Sequence, residues 1–191
     1  PRPVADVAHV RLCRRRAVRL GLLADTHGVV DARLAATLDG CDAVVHAGDI
    51  GNAAVLATLA RRGRPVIAVR GNNDVAAKWP RGQARSLRVL PATACIELPG
   101  GTLVVVHGDR VVPATRRHAL LRRLYPRAQA VLYGHSHQLN VDQRELPWVL
   151  NPGAAGAART HGGPSCLVLE AIATGWHIDV LRFPPMRDAR S

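Results

Sequence analysis

Over residues 17–73 three short apolar runs, AVRLGLLAD, CDAVVHAGD and RPVIAVRGN, alternate with two segments of helical texture, DARLAATLDG and NAAVLATLARRG. Strand-length runs alternating with helical spacing read as the β-α-β-α-β order of a parallel sheet with crossover helices. Each apolar run ends in a polar cluster. In open α/β sheets ligands bind in the crevice outside the carboxyl ends of the strands, so the order that sets the fold also says where chemistry would sit.

After Asn73 the texture changes. A loop through Trp79, Pro80 and Gly82 leads to TACIELPGGTLVVVHGD, two strands around a Pro-Gly-Gly turn that read as a hairpin. PATRRHALLRRLYP has helical spacing, QAVLYGH returns as a strand, and LNVDQRELPWVLNPG, SCLVLEAI and WHIDVLRF read as further strands. No repeat or low-complexity linker divides the chain, and 191 residues at 48% hydrophobic can fill one core. The expectation is one α/β domain over residues 16–185. Residues 1–15, with two prolines, an arginine cluster at 14–16 and no clear apolar period, read as a loose tail, and 186–191 as a short C-terminal one.

The strand ends carry metal-competent side chains: Asp25 and His27 in ADTHG, Asp49 in HAGDIGN, Asn72 to Asp74 in RGNND, His107 in VVHGD, and His135 and His137 in YGHSH. Taken singly each has a plain reading, as turn, cap or satisfied core histidine. As an ordered set at successive strand ends they point to a metal site. His135 and His137, two apart on extended chain, aim the same way. Nitrogen and oxygen donors without a nearby thiolate suit divalent Mn, Fe, Co, Ni or Zn. The supply of imidazoles, carboxylates and an amide exceeds what one ion uses, so two ions about 3.5–4 Å apart with a bridging carboxylate are expected, with a bridging water acidified enough to attack phosphorus.

The ordered set D-x-H, G-D, G-N-x-D, H-G and G-H-x-H resembles the calcineurin-like metallophosphoesterase superfamily, and RGNND with LNPG resembles its small prokaryotic phosphodiesterases, over roughly residues 17–183. The resemblance implies a two-sheet sandwich flanked by helices. It implies that Asp25, His27 and His137 hold one metal, that Asn72, His107 and His135 hold the other, and that Asp49 bridges both, with manganese heading the candidate metals. Asn73 and Asp74 fall at the catalytic positions. Asp74 could orient a neighbour, Asn52 reads as a helix cap, His46 as a packed strand residue, and the NPGAAG loop at 151–156 as a turn.

Three departures bear on activity. The family's G-N-H-D histidine is Asn73 here, which cannot act as an acid near neutral pH. Asp109 stands where relatives often carry a second histidine, and Ala154 where they carry serine.

The remaining features bound the partners. A formal net charge of +12 attracts phosphates of any kind. Nearly all the basic residues are arginine in an Ala- and Gly-rich chain, which reads first as codon bias. Cys13, Cys41, Cys95 and Cys166 form no C-x-x-C and read as free thiols, core residues in a reducing cytoplasm. No apolar stretch is long enough to span a membrane, and the charged start RLCRRRAVRLGLLAD lacks a cleavage site. The sequence thus predicts a cytoplasmic phosphodiesterase acting on a small phosphorylated substrate, with the oligomeric state open and a homo-oligomer among the options. Its rivals are a nuclease, which 3% aromatics disfavour for single strands, and a binding scaffold like the retromer subunit that resembles this fold.

Overall fold

The computed structural model describes residues 6–13 and 15–185. In chain order the elements are β1 (Val7–Arg11), β2 (Ala17–Leu23), α1 (Ala32–Thr37), β3 (Ala43–His46), α2 (Ala53–Leu59), β4 (Val66–Ala68), α3 (Ala84–Arg88), β5 (Thr93–Leu98), β6 (Gly101–Val106), α4 (Arg117–Leu124), β7 (Ala130–Leu132), β8 (Leu139–Asp142), β9 (Trp148–Pro152), β10 (Ser165–Ile172) and β11 (Gly175–Arg182). They form two mixed sheets flanked by helices, as expected. One has the order β1-β5-β6-β7-β9-β8, the other β11-β10-β2-β3-β4.

In the five-stranded sheet β2, β3 and β4 run parallel, with β10 antiparallel to β2. Side chains alternate between its faces. Val18, Leu20 and Leu22 of β2 and Ala43 and Val45 of β3 turn inward onto Ile96, Leu103, Val105 and Leu132 of the other sheet, forming the core between the sheets. Leu23 and Val44 face outward and join Leu34, Leu38, Val55 and Leu59 beneath α1 and α2. A fully buried leucine such as Leu22 contributes roughly 2–3 kcal/mol of apolar burial. Both helices start on side-chain caps: Asp31 accepts from Arg33 N at 2.9 Å and Asn52 from Val55 N at 3.0 Å. The cap reading of Asn52 holds. On the far face of the six-stranded sheet Leu121 of α4 packs with Val131 and Val149, and His118 and Arg122 of the same helix meet the buried Asp142 carboxylate at 3.0 and 3.1 Å.

Two elements correct the sequence reading. Residues 7–11 are a strand pairing parallel with β5, where a loose tail was expected. As an edge strand only half-buried, VAHVR lacks the alternation that marks an interior strand. Arg11 meets Glu97 at 2.6 Å and Arg70 meets Asp6 at 2.6 Å along that edge. The stretch after Trp79, read as loop, contains the single-turn helix α3. Cys41 and Cys166 are buried and Cys95 half-buried, but Cys13 is exposed, so it is not a core residue; all four are free thiols. The expected tail at 186–191 lies outside the described residues. No helix among those described is long and apolar enough to cross a membrane.

Candidate metal centre

The carboxyl ends of β2, β3 and β4 meet those of β6 and β7 at one edge of the sandwich, and the segments leaving them carry every polar cluster singled out in the sequence. The turns after β2 and β3 run side by side: Asp25 N donates to Gly48 O at 3.0 Å, His27 N to Asp49 O at 2.9 Å and Gly28 N to Ile50 O at 2.7 Å. Beneath them His46, buried as expected, accepts from Gly48 N at 3.1 Å through Nδ1. That leaves its Nε2 proton for Thr26 Oγ1 at 2.9 Å, while the Thr26 hydroxyl donates to Ile50 O at 3.0 Å.

Two groups of donor atoms result. His27 Nε2 and His137 Nε2 face each other at 3.1 Å, with Asp25 Oδ1 at 3.5 Å from His137 Nε2. Asn72 Oδ1 lies 3.1 Å from His107 Nε2 and 3.1 Å from His135 Nδ1. Asp49 stands between the groups: its Oδ1 is 3.4 Å from His107 Nε2, its Oδ2 3.8 Å from His27 Nε2. His107 is oriented by Nδ1 donating to Ala47 O at 2.9 Å, which aims Nε2 at Asn72 Oδ1 and Asp49 Oδ1. All seven ligand candidates are therefore brought together.

Asp25, His27, Asp49, His135 and His137 share a second property. Each has a left-handed backbone, with φ between 47° and 66°, and outside these five only Arg62, Arg159 and His161 do so among the described non-glycine residues. Such a conformation costs an L-residue about 1 kcal/mol or more and persists where its surroundings dictate it.

The charges fit cations as well. Neither oxygen of the fully buried Asp25 has a hydrogen-bond partner. Burial, with the Asp49 charge adding, pushes its carboxyl up to about 7. Burial also lowers His27 and His135, and His137 to about 4, keeping these imidazoles neutral as metal ligands must be. Burial opposes the charge on Asp49, but His107 and Asn73 outweigh it and hold that carboxyl below its ordinary range. Burial opposes charge on His107 as well, but the Asp49 and Asp25 carboxylates outweigh it and raise that imidazole, the same pull they would exert on a divalent cation. A buried carboxylate without partners beside three imidazoles held neutral suits a divalent metal, so the residues fit the group.

The Asp25 shift sets a pH dependence. With a folded-state value near 7 against 3.8, folded protein keeps a proton that unfolded chain releases, so stability falls as pH rises through this window. In metal-free protein, the melting temperature of wild type relative to Asp25→Asn should fall by about 5 °C or more from pH 4 to pH 8. Melting curves of the two across pH check this; a constant difference would remove the charge argument.

The two expected catalytic positions take different places. Asn73 borders the ligands: its backbone N–H donates to Asp49 Oδ1 at 2.8 Å, its amide to Asp49 Oδ2, and its Oδ1 accepts from Lys78 Nζ. Asp74 does not face the reacting space. It is buried, accepting from Ile50 N at 2.9 Å, Gly51 N at 3.0 Å, Gly71 N at 2.8 Å and Trp79 Nε1 at 2.9 Å. Its carboxylate is saturated, so it cannot act in proton transfer; it pins the Asp49 turn to the Asn72 turn. The fit there is tight, since a Cβ on Gly71 would lie 2.1 Å from Asp49 Oδ1.

Asp109 lines a cavity of about 490 Å³ that opens on Asn72 and His107 and is walled by Val75, Val111, Tyr125 and Arg110. Ala154 is buried and brings no polar group. The NPGAAG segment is structural: Asn151 Oδ1 accepts from Gly153 N at 2.9 Å, and its Nδ2 donates to Gly134 O at 2.9 Å and to Ser136 Oγ at 3.0 Å. Sequence reasoning passed over Lys78, which touches Asn73, and Arg159, whose guanidinium lies 3.2 Å from His137 Nε2. Neither sits in a motif of its own. Arg159 follows the NPGAAG segment by three residues, which is the one signal that could have found it.

The family model of the calcineurin-like phosphoesterase superfamily domain matches residues 18–173. None of the curated proteins compared with the chain matches it. Among solved structures, Vacuolar Protein Sorting 29 from Cryptosporidium parvum is similar at a TM-score of 0.69 and 18% identity, covering 89% of this chain and 100% of that one. A novel archaeal phosphodiesterase gives 0.63 and 20%, covering 85% and 99%. A conserved protein of Streptococcus pneumoniae, described as a predicted phosphoesterase, gives 0.60 and 21%, covering 88% and 91%. At these identities the structural likeness speaks for the fold alone.

Proposed function

This chain belongs to the calcineurin-like phosphoesterase superfamily, and on that premise we propose that it is a two-metal phosphodiesterase acting on small phosphorylated substrates. The observation that carries the reading is the convergence of seven donor side chains, five of them on left-handed backbone, around a buried carboxylate with no partner. Asp25, His27, His137 and Asp49 would hold one divalent ion, and Asn72, His107, His135 and Asp49 the other. When bound, such ions acidify a water and offset the charge of a phosphate in displacement.

The residues supply the rest. Asp49, with one oxygen toward each donor group, would hold its charge between the two cations. The nucleophile we propose is water, because the hydroxyls that lie between the candidate ligands in the chain are engaged: Thr26 with Ile50 O and His46, Ser136 with Asn151. Asn73 presents an amide where an acid would help an alkoxide leave. It can hydrogen-bond a phosphate oxygen but cannot protonate the leaving group, so esters with good leaving groups are favoured, and aryl diesters over alkyl monoesters. The cavity beyond Asn72 has the size for the leaving half. The free thiols suit a reducing compartment, and we place the protein in the cytoplasm.

The test is a metal-by-substrate screen of metal-stripped protein with Mn, Fe, Co, Ni and Zn against aryl diesters, alkyl monoesters, cyclic nucleotides and single-stranded nucleic acid. Aryl diesters should turn over with added metal, and a chelator should lower the rate about a hundredfold or more. Two bound ions with no hydrolysis of any ester would favour the scaffold reading, and preferred cutting of nucleic acid the nuclease.

A further inference from the structure

Arg159 is placed like no other arginine among the described residues. The chain leading to it is fixed: Ala155 N donates to Ala24 O at 2.9 Å and Asp31 N to Ala155 O at 2.9 Å, beside the Asp25 turn. Gly156 then presses so closely on that turn that a Cβ would lie 2.4 Å from Thr26 O. Three residues on, Arg159 itself has a left-handed φ of 52°, a conformation an arginine side chain does not favour. The exposed side chain ends on the donor group, with Nη2 donating to His137 Nε2 at 3.2 Å, and among the described residues no carboxylate pairs with it.

That contact uses the lone pair that His137 Nε2 would offer a metal. One lone pair cannot serve both, so loading the site frees the guanidinium, which is left at the mouth of the centre with its positive charge unpaired. A planar fork of N–H donors beside the reaction centre matches the non-bridging oxygens of a phosphate.

We infer that Arg159 is a phosphate-binding residue, capping His137 in the metal-free protein and clamping the oxygens of the substrate's phosphoryl group in the loaded one. The inference rests on the phosphoesterase reading for the identity of the anion, but phosphate binding can be measured without turnover. The experiment uses the full chain loaded with Mn²⁺, as wild type, Arg159→Ala and Arg159→Lys. Inorganic phosphate binding is followed by calorimetry, Mn²⁺ affinity in a separate titration, and KM for an aryl diester by initial rates.

Arg159→Ala should weaken phosphate binding about tenfold or more, as expected for a lost charge-assisted contact, and raise KM in step. Arg159→Lys should fall between, keeping the charge without the fork. Mn²⁺ should bind Arg159→Ala as tightly as wild type or more tightly, since a competing cation is gone. Unchanged phosphate affinity in Arg159→Ala, weakened Mn²⁺ binding, or no phosphate binding by wild type would each overturn the inference. Arginine-dependent phosphate binding by a protein that hydrolyses nothing would uphold it while removing the proposed activity.

Discussion

Asp49→Asn is expected to lower diester turnover by about a hundredfold or more while the protein stays folded. The side chain is nearly isosteric, and two of the Asp49 contacts, from the Asn73 backbone and amide, can be kept in part by an Asn oxygen. What is lost is charge. Asp49 lies between the donor groups, with one oxygen 3.4 Å from His107 Nε2 and the other 3.8 Å from His27 Nε2. An amide offers one neutral oxygen where two anionic ones stood, so the two proposed cations would lose what offsets their repulsion. Removing a single preorganised electrostatic group costs about 10²–10³ in rate, and in the proposed site the same group would also organise the metals. Metal content and turnover of purified Asp49→Asn are the measurements. A folded variant with two ions and normal rate would refute the assignment of the site.

Much of this centre can be seen in the sequence because strand ends in a parallel arrangement share one edge, so residues distant in sequence are placed together by topology alone. Asp25, Asp49, Asn72, His107 and His135 each follow a strand within a few residues, and the fold brings them together. What topology does not encode is direction. Asn73 and Asp74 are neighbours in the chain, yet one borders the ligands and the other is buried with its carboxylate saturated by four donors. That difference depends on the turn's geometry, which no periodicity records. Arg159 is hidden for another reason: in a chain where all but one of 26 basic residues are arginine, one more carries no signal. At the N-terminus the missed strand is an edge, where one neighbour and half-burial relax the pattern by which interior strands such as β2 declare themselves.

The saturation of Asp74 leads to the largest expected loss of stability. Its two oxygens serve the N–H groups of Ile50, Gly51 and Gly71 and the indole of Trp79, which is itself buried beneath α2 with Leu59 and Leu90. Asp74→Ala would leave four donors facing a hole that no other acceptor fills. Each buried donor left unsatisfied costs about 1–3 kcal/mol, and the costs overlap because the four share one site. A loss of about 4 kcal/mol corresponds to a fall of roughly 8–16 °C in Tm for a domain of this size. Asp74→Asn should fall less, since its oxygen still accepts from two or more of the four. The conservative variant also separates positioning from catalysis. If Asp74 acts by holding the Asp49 and Asn72 turns in register, Asp74→Asn weakens metal binding, and saturating metal restores most of kcat. A variant with full metal occupancy whose kcat remains a hundredfold down would instead put Asp74 in the chemistry, and its four hydrogen bonds would have to break during turnover.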